Sequence, residues 1–365
     1  MKIAYDYQTF TQQSYGGISR YYVRLAEELI ARGKDVNIFA PYHCNKLLES
    51  LPPSVLHGNR VSSGFSKPVA LVMLMINHIK SKGAIRKWNP DILHETYFSI
   101  KSTAPKNCPT VVTVYDMIHE KFPSYFNRFD PTSTWKQKAV KRADHIICIS
   151  ESTRKDLLEL FPALEAKVSV VHLGFTTSPI VQLQSKNSKP YLLYVGTRNG
   201  HKNFSLLLES LASSPRLLSA FDLIAFGGGV FSRSELAQIN RLGFQKTQIR
   251  QVGGSDDILT SHYKNAAAFV YPSLYEGFGL PPLEAMAQSC AVVSSNTSSM
   301  PEVIGDAGEF FDPTSMQQMA IAIENVVFSS SRKEELILKG KKRLELFTWN
   351  NCAENTLNIY NRLVK

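Results

Sequence analysis

The chain has 365 residues, 44% hydrophobic and 20% charged, an ordinary soluble composition with enough length for two domains with separate cores. Its five cysteines (Cys44, Cys108, Cys148, Cys290, Cys352) are scattered without a CxxC pair, which argues against a disulfide framework or a cysteine zinc site and suits a reducing cytoplasm. The formal net charge of +10 is uneven: residues 1–180 carry 23 Lys+Arg against 15 Asp+Glu, and no acid occurs between Glu49 and Asp91, which points to a polyanionic partner or to a surface that is merely basic.

Short apolar runs alternate with helical patterns, which predicts parallel α/β units. Lys2–Tyr5 reads as a strand, with no signal-peptide pattern before it. A loop over residues 6–15 leads to Gly16-Gly17 and a helix over residues 18–32, whose Tyr21, Leu25, Leu29 and Ile30 share a face; Gly33 ends it. Asp35–Phe39 is the next strand. Pro68–Ile76 is apolar on every side of a helix, too short to span a bilayer, and is followed by Lys80, Lys82, Arg86, Lys87 and Trp88. That pattern fits a buried helix of the first domain or a segment lying on a membrane surface. Further strands are expected at 91–94, 110–114, 145–149 and 168–172, with Ser152 capping a helix over 154–160. Residues 176–190 have linker composition. Strands then recur at 191–195, 221–226, 248–252, 267–271 and 291–294, and 349–364 has helical spacing. The expected division is 1–177, a linker over 178–190, a second domain over 191–348, and a terminal helix over 349–365.

Two stretches of the second half carry chemistry. After the strand at 191–195 come Gly196, Arg198 and Lys202, with a helix starting near Asn203. Open α/β sheets bind ligands at the carboxyl ends of strands, so Arg198 and Lys202 are placed to reach a diphosphate and stabilise a departing nucleotide; otherwise they are two solvated loop cations. In Tyr275-Glu276-Gly277-Phe278-Gly279-Leu280-Pro281-Pro282-Leu283-Glu284-Ala285, the prolines suit a first helical turn. Residues 276–279 then form a loop, and Glu284 falls in the first turn. Loop amides and the helix N-terminus make an anion site, and the two carboxylates can accept hydrogen bonds from sugar hydroxyls on either side of it. Ribose, diphosphate and hexose fit that sequence of groups.

The order Glu276, Gly277-Phe278-Gly279, Leu280-Pro281-Pro282, Glu284 resembles the Glu-x7-Glu signature of the family 4 retaining glycosyltransferases. The resemblance implies the GT-B fold: two Rossmann-like domains facing a central cleft, with the last helix crossing back onto the first. It implies a nucleoside-diphosphate sugar as donor, Glu284 holding the ribose, Glu276 the hexose, Arg198 and Lys202 the diphosphate with help from the Gly279 and Leu280 amides, and the Gly16-Gly17 loop facing the donor phosphate. Alone, that glycine pair is explained almost as well by a simple turn. The base would be met around Gln251-Val252-Gly253. The resemblance leans towards bacterial surface-polysaccharide mannosyltransferases, such as those of lipopolysaccharide O-antigens. GDP-mannose is therefore the favoured donor, and a glycan or polyprenyl-diphosphate-linked glycan the acceptor. Many relatives carry histidine where Tyr115 stands. Asp116 is expected at the acceptor, and His119 either takes the missing role or is structural. His94–Tyr97 is a weaker acceptor-side candidate.

No Asp-x-Asp or histidine cluster suggests a metal, so neither a metal nor a cofactor beyond the donor is expected. No GxGxxG follows the first strand, and no nucleic-acid motif accompanies the basic charge, so nucleic acid is not an expected partner. No residue stands out as a covalent nucleophile, which leaves a front-face transfer assisted by the leaving phosphate. A nucleotide-sugar epimerase of the same fold and a non-catalytic polyanion-binding protein are the alternatives. The expected location is the cytoplasm, with room for peripheral contact at the inner face of the cytoplasmic membrane.

Overall fold

The computed structural model describes residues 1–61, 67–176, 189–198 and 200–364, so most of the expected linker (178–188) lies outside the described residues. The chain divides into two compact units: Met1–Gly174 together with Thr348–Lys365, and Phe175–Phe347.

The first unit is a seven-stranded parallel sheet of β1 (Lys2–Tyr5), β2 (Asp35–His43), β3 (Leu56–Arg60), β4 (Ile92–Glu95), β5 (Thr110–Val114), β6 (His145–Cys148) and β7 (Val168–Val170), in the order β3-β2-β1-β4-β5-β6-β7. Helices cover both faces of such a sheet, so central strands are apolar or buried at every position; all five residues of β5 are buried. Three local features differ from expectation. Residues 6–15 are not all loop, because Gln8–Gln12 forms a short helix. β2 runs on to His43, and its pairing with β3 shifts between Phe39 and Tyr42, around Pro41, which has no N–H to give the ladder. The helix Glu151–Leu160 is capped by Ser150 rather than Ser152, its hydroxyl accepting from the Thr153 amide at 3.0 Å.

The last helix, Trp349–Leu363, belongs to this first unit and packs against the helix Gly17–Ala31. Its Tyr360 hydroxyl lies 2.6 Å from His94 Nδ1, and His94 Nε2 lies 2.8 Å from Thr113 Oγ1. His94 is fully buried and flanked by Tyr5 and Tyr22. Burial holds its imidazole down to about 3, so it stays neutral. It is a structural tie between β4, β5 and the terminal helix, not an acceptor-side group.

The second unit is a six-stranded parallel sheet of β8 (Tyr191–Val195), β9 (Asp222–Phe226), β10 (Ile249–Val252), β11 (Ala268–Tyr271), β12 (Val292–Ser295) and β13 (Gly308–Phe311), in the order β10-β9-β8-β11-β12-β13. One apolar core includes Leu192, Phe204, Leu223, Val270, Val293 and Ile323. The chain lays strands to one side of β8 up to β10, then returns to lay β11 on the other side. Loops leaving neighbouring strands β8 and β11 therefore diverge and leave a crevice at the switch point.

His94 titrates near 6.5 when unfolded and near 3 when folded, so the unfolded chain binds the extra proton between those values. The His94 contribution to stability should accordingly rise with pH across about 3 to 6.5. His145, held to about 4 by burial and by the nearby Arg362 and Lys167 charges, adds to the same slope. Glu95, buried and pushed up to about 7, acts with the opposite sign, so the test is the difference: thermal midpoints measured from pH 4 to pH 6.5 should climb less steeply, or fall more steeply, in His94→Gln than in the parent. An equal slope in the variant would show that His94 is not the titrating group.

Candidate active site

The switch point of the second sheet brings together residues from the loops after β8 and β11. Lys202 Nζ lies 2.6 Å from Glu276 Oε1, and the ammonium also sits 5.8 Å from the centre of the Tyr271 ring. The two loops are stitched by backbone. The Leu274 amide donates to His201 O at 2.7 Å, and Asn203 Nδ2 donates to Pro272 O and Pro313 O at 3.1 and 2.8 Å. Asn203 occupies the left-handed region (φ +58°), which asparagine tolerates better than most residues.

The glutamate motif folds as a loop entering the helix Leu280–Ala287. Gly279 caps this helix at φ +115°, a backbone angle that side chains rarely adopt. Because Leu280 and both prolines lie inside the helix, Glu284 is its fifth residue and falls just past the first turn in which the sequence places it. The prolines also leave the first four helical positions with only two N–H groups, those of Leu280 and Leu283. Much of the donor set for an anion must then come from the Gly277–Gly279 backbone and the positive end of the helix. Glu284 Oε2 accepts from the Tyr263 hydroxyl at 3.2 Å. Burial of Tyr263, with the Glu284 charge beside it, pushes its phenol well up, so it remains a donor.

The loop carbonyls are taken by hydroxyls from the segment after β12. Ser298 Oγ donates to Glu276 O at 2.6 Å and lies 3.4 Å from the Glu276 amide. Ser299 Oγ lies 2.9 Å from Glu276 O and 2.6 Å from Phe278 O. Thr297 Oγ1 donates to Leu274 O, and Ser295 Oγ to Ser273 O. The brace fixes which way the motif's peptide planes turn. Nothing local in Ser294–Ser299 announces this; the hydroxyl-rich run is a signal only once β12 is known to pair with β11.

Arg198, expected to act with Lys202, is held by partners of its own. Its Nε donates to Glu235 Oε1 at 2.6 Å, Nη1 to Gly227 O at 2.8 Å, and Nη2 to Val230 O at 3.0 Å, with the guanidinium 4.7 Å from the centre of the Phe231 ring. Gly228 approaches it so closely that a Cβ there would sit 2.6 Å from Nη1. Convergent acceptors from the loop after β9 claim its donors, so in this structure Arg198 organises residues 227–230. Gly196 opens the loop after β8, its amide donating to Phe226 O. Val252 ends β10, and its carbonyl accepts from the Gly227 amide at 2.8 Å.

In the first unit, Gly16 caps the helix Gly17–Ala31. At the end of β5, Asp116 Oδ1 accepts from the Ile118 amide at 3.1 Å. Lys136, 1% exposed, donates to Asp116 O and to Glu120 Oε2, both at 2.8 Å, and lies 3.8 Å from Asp116 Oδ1. A buried lysine thus sets this loop, a role that sequence conceals because lysines are ordinarily solvated. His119 stacks on Phe126, and its Nε2 lies 3.8 Å from Asp130 Oδ2. Tyr115 is buried against Tyr21, which removes it from the surface where a sugar could bind.

Two parallel Rossmann-like sheets, with a lysine–carboxylate pair and a second carboxylate beside it where the second sheet reverses, define a glycosyltransferase of the GT-B fold. Residues 15–178 match the family model "Glycosyltransferase Family 4" and residues 177–343 match "Glycosyl transferases group 1". The chain belongs to the family 4 glycosyltransferases, whose reactions use a nucleotide-sugar donor and a glycan acceptor. It is 26% identical over 370 residues to the O-antigen chain mannosyltransferase B of Escherichia coli, covering 95% of this chain and 96% of that protein. It is 29% identical over 241 residues to the serotype-specific mannosyltransferase WbdA of Escherichia coli, covering 62% of this chain and 29% of that longer protein. In fold it is similar to the sucrose-phosphate synthase of Thermosynechococcus elongatus, with a TM-score of 0.78 at 20% identity over 99% of this chain and 98% of that one.

Two mutational outcomes follow from this geometry. Glu284→Gln should weaken binding of a free nucleoside diphosphate by about 1.5–3 kcal/mol, the worth of a hydrogen bond to a charged group, and Tyr263→Phe by less. Isothermal calorimetry measures both, and unchanged affinity in Glu284→Gln would mean that this carboxylate holds no part of the nucleotide. Ser299→Ala should lower turnover while the chain stays folded, since it takes the hydroxyl partner from the Phe278 carbonyl and leaves the Glu276 carbonyl to Ser298 alone. Steady-state rates beside a thermal melt separate that outcome from simple unfolding.

Proposed function

We propose that the protein is a retaining hexosyltransferase that moves mannose from GDP-mannose to a glycan or polyprenyl-diphosphate-linked glycan in cell-surface polysaccharide synthesis at the cytoplasmic face. The observation that carries the chemistry is the Lys202–Glu276 pair at the switch point, with Glu284 just past the first turn of the helix that follows. The choice of mannose draws support from the near full-length similarity to an O-antigen chain mannosyltransferase.

In this reading Lys202 and Glu276 neutralise each other until the donor arrives. The diphosphate then draws the Lys202 ammonium, and Glu276 turns its carboxylate to the hexose hydroxyls. Glu284, oriented by Tyr263, accepts from the ribose hydroxyls. Backbone amides of Gly277–Leu280 and the positive helix end meet the diphosphate, and the hydroxyls of Ser298 and Ser299 hold those amides in place. As the C1–O bond to phosphate breaks, Lys202 stabilises the charge gathering on the nucleotide. The leaving phosphate oxygen takes the acceptor's hydroxyl proton, and the new C1–O bond forms on the face just vacated, which preserves the anomeric configuration. Asp116 and His119, steadied by Lys136, Asp130 and Phe126, serve the acceptor. Arg198 contributes through the 227–230 loop rather than as a direct ligand, and no metal takes part.

The test is product analysis. Purified protein with GDP-mannose and an O-polysaccharide fragment or lipid-linked acceptor should release GDP and form an α-linked product, seen by NMR, in the presence of EDTA. A β-linked product, epimerised donor without transfer, or activity that stops with EDTA and returns with magnesium would overturn the reading. Glu276→Ala should reduce turnover by at least about a hundredfold, because the contact strengthens chiefly in the productive complex. Near-normal turnover in a folded Glu276→Ala protein would remove this residue from the mechanism.

A further inference from the structure

The helix Lys67–Trp88 in the first unit has two unlike sides. Its inner side is fixed by polar contacts. Asn77 donates to Thr11 Oγ1 and Tyr42 O, each at 2.8 Å, and accepts from the Tyr42 amide at 2.9 Å; Ser81 donates to Phe39 O at 2.9 Å. Asn77, Ser81 and Ile85 are fully buried, and Trp88 turns inward against Phe39. The helix therefore cannot roll to hide its other side without breaking buried hydrogen bonds.

That other side is apolar and open. Val69, Val72, Met75 and Ile79 are 47%, 54%, 63% and 71% exposed. At about 100° per residue they fall within roughly a third of the helix circumference, and Lys82 and Arg86 prolong the same face towards the C-terminus, with Lys87 at its edge. The helix contains no acidic residue, and neither does the surrounding sequence from Ser50 to Pro90. Among the described residues no helix is long and apolar enough to cross a membrane. Single exposed aliphatic side chains are unremarkable, but four in a row on a face that is held outward need a partner. A second copy of the chain would bring an identical basic, acid-free face against this one. A bilayer surface with anionic headgroups supplies both hydrocarbon for the aliphatic row and negative charge for the basic end.

We propose that this face is a membrane-docking surface: Val69, Val72, Met75 and Ile79 enter the headgroup–acyl boundary of an anionic bilayer while Lys82, Arg86 and Lys87 pair with lipid phosphates. It rests on the reading of a lipid-linked acceptor only for its purpose, since docking holds the first unit where such an acceptor lies. Its physical basis is independent of the transfer reaction.

The full-length protein should float with vesicles of phosphatidylcholine containing 30% phosphatidylglycerol at low salt and should not float with phosphatidylcholine alone. Binding should weaken as salt rises, because exposed charge pairs are screened. Met75→Glu with Ile79→Glu, and separately Lys82→Glu with Arg86→Glu and Lys87→Glu, should each cut the partition coefficient by more than about tenfold, given about 1 kcal/mol per basic residue near such a surface. Thermal midpoint and GDP affinity should stay as in the parent. No flotation with anionic vesicles at low salt overturns the proposal, as does flotation that both variants retain. So does a dimer, by light scattering, that Met75→Glu with Ile79→Glu dissociates, which would assign the face to a second copy. Normal GDP affinity in a non-floating variant shows that docking failed while the donor site survived, so the two readings fail separately.

Discussion

Lys202 and Glu276 are 74 residues apart in the chain, and their 2.6 Å contact depends on one topological event, the return of the chain from β10 to the far side of β8. The six-stranded sheet and its core hold the carboxyl ends of β8 and β11 side by side. Everything in the site takes its position from that adjacency. An ammonium and a carboxylate in such contact are each other's counter-ions, which offsets part of the cost of holding two charges in a partly buried crevice. In the proposed reaction, a donor bearing both a diphosphate and sugar hydroxyls replaces each partner of the pair at once.

The motif loop shows a second economy. A loop that binds an anion through its amides must do something with its carbonyls, which would otherwise repel the ligand or go unsatisfied when buried. Here hydroxyls from residues 295–299 take the carbonyls of Ser273, Leu274, Glu276 and Phe278. The site is consequently built by three neighbouring strands, β8, β11 and β12, and the motif that marks it in sequence is only its central third.

The first unit spends its buried polar groups differently. His94 links two strands to the terminal helix, Lys136 ties the end of β5 to the helix after it, and Asn77 and Ser81 pin the long helix of residues 67–88 to β2. Each is a directional bond in an apolar setting, where an unmade bond is expensive, so each selects one arrangement of elements. The last pair also keeps an aliphatic face pointing outward, which packing alone would not choose.

Features governed by short-range chemistry were legible in the residues themselves. The α/β alternation, the glycine and two prolines that end a loop and begin a helix at 279–282, and the carboxylates spaced around them follow from local backbone geometry, which neighbours in sequence control. Legibility ended where a short element had no apolar signature, as with Leu56–Arg60 at the sheet edge and Gly308–Phe311, or where a side chain's partner came from afar. The loop of Arg198 does not show its partners, because the Gly227, Val230 and Glu235 acceptors that hold it lie 29 to 37 residues away. Tyr115 and His94 could each have faced a substrate; burial assigned both to the core. The sequence by itself determined the strand and helix periods and the composition of the site, because those depend on residues a few positions apart. Tertiary structure alone decided which charges pair, which hydroxyls brace the loop and which face of a helix stays in solvent, because each depends on groups that only the closed sheet brings within hydrogen-bonding distance.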